Sequence, residues 1–149
     1  MTMKWLKRGN SERGAALLEV ALTLPLMLLV AVGIFEFGRA YQTWQVLTNA
    51  AREGARVAVL PGTNDEAVRA RVQAYMEAGQ IPDASGATVT INRNNTIAIG
   101  AGTATASSVV VALPFAFMVL QPVARLVVAG SNLGSAIMMT ASATMRNES

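Results

Sequence analysis

Neither cysteine nor histidine occurs among the 149 residues. Disulfides and thiolate metal sites are therefore excluded, and so are His-dependent triads, imidazole acid–base chemistry and His-ligated zinc. Charged residues make up only 14% of the chain, against about a quarter in a typical soluble domain. The deficit lies mainly in an opening apolar block and in the C-terminal third. The formal net charge is +3, and its location decides its meaning. Lys4, Lys7, Arg8 and Arg13 stand before Gly14, opposed only by Glu12, whereas from Ala15 onward the charges balance. The basic excess is thus a topology signal, not a phosphate-binding surface, and no nucleic-acid partner is expected.

Other chemistry is missing too. No G-x-x-x-x-G-K-[ST] segment is present, which excludes P-loop hydrolysis of ATP. Gly100-Ala101-Gly102 lacks the third glycine and the following helix of a phosphate-binding loop. Asp65 and Glu66 read as first-turn acids favoured by a helix dipole, and Asp83 has no visible partner. Met138 and Met139 point to opposite faces of a strand and cannot act together as a copper site. No catalytic residue, metal or cofactor is expected, and the chain does not read as an enzyme.

What is present is a long apolar run, Gly14 to Phe35, broken after Gly14 only by Thr23 and Glu19. About 20 apolar residues at 1.5 Å per residue cross the ~30 Å hydrocarbon core of a bilayer. The basic segment before it places the N-terminus in the cytoplasm and sends the rest across the membrane. A secretory signal peptide opens the same way, but its apolar region is usually only about 7–15 residues long and ends in a small-x-small site. Here Ala31-Val32-Gly33 is the sole, weak match. An intramembrane carboxylate costs about 2.5–3.5 kcal/mol at a helix centre, so Glu19 has two readings. Either it lies near enough the interface to reach water, or it pairs with an amine. Cleavage after Gly14 would create such an amine at Ala15, one helical turn away. Pro25 predicts a kink or local unwinding, which a bilayer helix either tolerates passively or uses to stretch.

The helix is expected to run on to about Leu60, near 70 Å in all, before Pro61-Gly62 ends it. Phe37, Tyr41, Trp44 and Leu47/Thr48 recur at helical spacing, with Tyr41 and Trp44 suited to the headgroup layer. Glu36 and Arg39 read as an i,i+3 surface pair worth a few tenths of a kcal/mol. Ala50, Gly54 and Ala58 form a small-residue face for close packing, either on the chain's own sheet or on a neighbour. Arg52, Glu53 and Arg56 form the solvated face. Thr63-x-x-Glu66 reads as the capping box of a second helix carrying Val68, Val72, Tyr75 and Met76, stopped by Gly79 and Pro82. Thr88 to Asn92 alternates as a strand, Arg93-Asn94-Asn95 reads as a turn, and Thr96 to Ile99 as a second short strand. Gly100 to Ser108 reads as a loop by composition, and Val109 to Leu113 as a β-rich run. Phe115 to Ala129 is too short and interrupted to span a membrane. It predicts a short helix around Pro122 to Val128, on the sheet or near the membrane surface. Ala136 to Arg146 alternates as a final strand, with Ile137, Met139, Ala141, Ala143 and Met145 on one face. The fold class is α+β: a long N-terminal membrane-spanning helix packed on a small, mainly antiparallel sheet.

Gly14, Ala15-Ala16-Leu17-Leu18 and then Glu19, behind a basic leader, resemble the processing site of type IV prepilins. The longer pieces GAALLEVALTLPL, FEFGRA and NAAREGAR, with a C-terminal PF…SAIMMTASATMR, resemble TadE-like proteins, minor pseudopilins of the tight-adherence (Tad/Flp) pilus system. Val20 departs from the aromatic more often found after the glutamate. The resemblance implies a pilin-like fold with a prepilin leader at 1–14, a transmembrane helix at 15–36 and an extracytoplasmic domain at 37–149. It implies cleavage between Gly14 and Ala15 by a prepilin peptidase, with Glu19 pairing the new amine during assembly. Implied partners are other Tad pilins and pseudopilins, the inner-membrane assembly platform and membrane lipid; the implied location is the cytoplasmic membrane. The alternative from the residues alone is an uncleaved single-pass anchor carrying an extracytoplasmic accessory or binding module.

Overall fold

The computed structural model describes residues 11–147 apart from 128, 131 and 133. Most of the basic leader, residues 1–10, lies outside the described residues. Helix α1 spans Ser11–Ala58 without a break in its helical assignment at Pro25, so the local unwinding expected there does not occur. Its 48 residues extend about 72 Å. Helix α2 (Asp65–Ala78), strands β1 (Thr88–Ile99) and β2 (Gly102–Phe115), helix α3 (Leu120–Val127) and strand β3 (Ile137–Arg146) follow. The strands form an antiparallel sheet in the order β1-β2-β3. The α+β class is as expected.

The two halves of α1 have different surroundings. The N-terminal half projects beyond the sheet, its leucines with Val20 and Val30 about half exposed or more, and its most apolar window has a mean hydropathy of 2.4 with none of it buried. The C-terminal half lies on the sheet against β2 and β3, with α2 alongside. Leu47, Ala50, Ala51, Ala55 and Ala58 meet Val68, Val72 and Met76 of α2, Val109, Val111 and Leu113 of β2, and Ala141 of β3. Fully burying each large side chain in this set contributes about 1.5–3 kcal/mol. The aromatic stripe does not follow that face: Leu47 is buried, while Phe37, Tyr41 and Trp44 point outward and remain exposed. The buried stripe is built mainly of small residues, because only these let α1 lie flat against both α2 and the sheet.

Gly54 shows how close that approach is. A Cβ built there would stand 2.6 Å from Val72 Cγ2 and 3.1 Å from Val109 Cγ1. The face of Ala50, Gly54 and Ala58 therefore packs inside the chain's own domain.

Three local expectations need correction. The cap of α2 is Asn64, not Thr63: Asn64 is extended and its side chain accepts from the Ala67 amide at 2.9 Å, while Thr63 Oγ1 donates back to the Leu60 carbonyl. Asn64→Ala is expected to lower stability by about 1 kcal/mol, readable in a thermal melt, whereas Thr63→Ala should change it far less. Residues 93–95 do not turn the chain. They form a bulge within a continuous β1, where three steps from Asn92 to Asn95 face two from Ser108 to Ala106. The bulge aims Arg93 across the domain: Nε donates to Asp65 Oδ1 at 2.8 Å and an Nη donates to the Ala58 carbonyl at 2.7 Å. The end of α1, the start of α2 and the middle of β1 thus share one guanidinium.

Finally, Gly100 to Ser108 is not a loop. Only Gly100 and Ala101 turn, with Gly100 at φ +59, as a two-residue hairpin requires of one central residue. Beyond them the Thr, Ala and Ser residues pair along β1, and from Ala106 also along β3. In β3, Ala141 and Ala143 pair with Val111 and Val109 on the core side, as the alternation predicted.

Candidate functional site

The residues read as a processing site lie on the exposed N-terminal half of α1, and a Cβ at Gly14 would meet nothing within 4 Å. Glycine weakens a helix by about 1 kcal/mol relative to alanine. Glu19 is exposed on the same free segment. Its carbonyl accepts from Thr23 Oγ1 at 2.8 Å. Pro25 sits midway along the apolar stretch. The structure therefore places Gly14, Ala15 and Glu19 on the exposed half of α1, with Pro25 where α3 comes near it, and Ala50, Gly54 and Ala58 on the half packed on the sheet.

Where the halves join, side chains gather that the spacing alone had assigned to the surface. Glu36 is 1% exposed. Its carboxylate accepts from the backbone amides of Val119 and Leu120, the latter at 3.3 Å, and from the Arg39 guanidinium at 3.3 Å. Arg39 in turn donates to the Ala116 carbonyl at 2.8 Å and lies 4.9 Å from the centre of the Phe115 ring. Phe117 meets Phe115 edge-on. Glu36 and Arg39 are thus a clasp that holds the Phe115–Leu120 segment against α1.

The carboxylate is fully used, whereas Arg39 works through one Nη, which serves both Glu36 and the Ala116 carbonyl, and its buried Nε has no partner among the described residues. The first amides of a helix lack intrahelical acceptors and carry the positive end of its dipole. Glu36 supplies the acceptor and the compensating charge for α3, while Arg39 neutralises the carboxylate. Charge-assisted bonds of this kind contribute about 1.5–3 kcal/mol each, far more than the surface pair expected.

A signal for this was available. Counting back from Ala58 at three and four gives Gly54, Ala51, Leu47, Thr43, Ala40 and Glu36, so the buried stripe ends on the acid. Thr43 is buried too. FEFGRA and PF, two of the sequence pieces singled out above, meet here across 76 positions as Arg39 and Phe115.

Among the described residues, a cleft of about 420 Å³ lies between α2 and the start of β1, with Arg69 the charged residue on its wall. It brings together no acid–base pair.

A long, half-free apolar helix clasped to a three-stranded antiparallel sheet defines the class of fold. Residues 14–56 match the model of the family described as TadE-like protein. That segment holds the Gly14–Ala15 bond, the apolar run, the clasp residues of α1 and most of the small-residue face. No curated protein and no solved structure matches the chain.

Proposed function

We propose that this protein is a minor pseudopilin that takes part in assembling a Tad/Flp-type adhesive pilus or the related secretion apparatus. The observation that carries this reading is the TadE-like match over residues 14–56, laid on a helix whose matched N-terminal half is apolar and unpacked. In this reading residues 1–14 are a leader removed by a prepilin peptidase, residues 15–36 span the cytoplasmic membrane with the N-terminus inside, and residues 37–149 form the extracytoplasmic domain. The role is structural, not catalytic. Glu19 receives the amine of Ala15, from its own chain or a neighbour, and the pairing offsets the burial of both charges. Partners are pilus subunits, the assembly platform and the peptidase.

Two variants test the proposal in cells that carry the peptidase. Gly14→Ala is expected to abolish processing, so that only the longer precursor is seen on a gel. Glu19→Ala is expected to insert into membranes at wild-type levels yet lose most crosslinking to pilus subunits. Normal cleavage of Gly14→Ala would count against the proposed cut. Undiminished crosslinking of Glu19→Ala would favour an uncleaved anchor carrying an accessory module.

A further inference from the structure

The clasp holds α3 against the apolar half of α1, and a crevice of about 620 Å³ opens between them. One wall is formed by residues from Pro25 to Val32, the other by Leu120 and Val123, and among the described residues no charged side chain lines it. Glu36 is the first charged residue after the apolar run. Val32 and Pro25 lie about 6 and 16 Å below it along the helix. In a ~30 Å hydrocarbon layer that depth is the leaflet on the domain side.

At that depth the surrounding phase is hydrocarbon. Apolar walls facing such a phase take up a hydrocarbon chain without burying any polar group.

We propose that the Leu120 and Val123 side of α3 faces the leaflet on the domain side, with the exposed Arg125 reaching for the headgroup layer, and that this crevice holds an acyl chain of a bilayer phospholipid. The inference rests on α1 spanning the membrane and not on any role in a pilus.

The absence of cysteine allows single-cysteine reporters in the full-length chain. Val123→Cys and Leu120→Cys report on the crevice; Leu22→Cys, on the free half of α1, and Ala74→Cys, exposed on α2, are controls. Each is labelled with bimane and reconstituted in vesicles of phosphatidylcholine brominated at mid-chain. The expected result is several-fold quenching at Val123→Cys and Leu120→Cys, matching Leu22→Cys, with Ala74→Cys unaffected. Quenching at Leu22→Cys alone overturns the proposal while leaving the membrane anchor intact. Disulfide formation between unlabelled Val123→Cys copies, without quenching of the labelled ones, assigns the crevice to a second copy and also overturns it. No quenching at Leu22→Cys removes the membrane-spanning reading and the proposal together.

Discussion

Glu36→Ala is expected to detach α3 and lower stability by about 3 kcal/mol, the scale for removing one partner of a buried charge pair. The substitution leaves the Val119 and Leu120 amides and the Arg39 guanidinium facing a methyl group. Among the described residues the two amides make no other hydrogen bond, and Arg39 keeps the Ala116 carbonyl. The damage should be local, because α3 touches the rest of the fold mainly through α1. Hydrogen exchange in detergent micelles is the direct readout: protection at Val119 and Leu120 should fall to solvent levels while Val109 and Val111 in β2 stay protected. Glu36→Gln keeps an acceptor for the two amides but no charge for Arg39, and should retain part of the protection. Unchanged exchange in Glu36→Ala would mean that the clasp contributes little to holding α3.

The second large effect is expected at Gly54. Gly54→Val places branched carbon where even a Cβ would stand 2.6 Å from Val72 and 3.1 Å from Val109. Both neighbours are fully buried, so neither can move without disturbing α2 or β2. Overpacking of this kind costs about 1–3 kcal/mol, with the upper end expected here because α1 is pressed from two sides. Chemical denaturation should show a lower midpoint with an unchanged slope. Gly54→Val combined with Val72→Ala should recover part of the loss, since the smaller side chain opens the space. A Gly54→Val protein as stable as the original would show that this face is not the tight contact described.

Sequence pattern carried the parts of the fold where periodicity and burial agree. The apolar run, the small-residue face of α1, the stripe of α2 and the alternation of β3 each repeat with the period of their element. Elsewhere a local signal was outweighed by tertiary contacts. Arg93-Asn94-Asn95 has turn composition, yet Asn92 and Asn95 bond each other within a bulge while Arg93 ties β1 to both helices. Residues 102–108 have weak strand propensity but pair with β1, and the last of them also with β3, so cross-strand bonding decides their state. Glu36 was legible only by extending the buried stripe backward onto a charged residue, against the usual preference of acids for solvent. Its acceptor role also depends on a segment more than 80 positions away, which no local window contains.

Helix α1 has two parts: one half is packed in its own domain, and the other, in the function proposed above, loses the leader and enters a membrane-embedded assembly. N-terminal sequencing of the protein recovered from its native envelope tests this most directly. A first residue of Ala15, with Gly14 and the cationic stretch gone, is the predicted result. A chain that still begins at Met1 or Thr2 would contradict it.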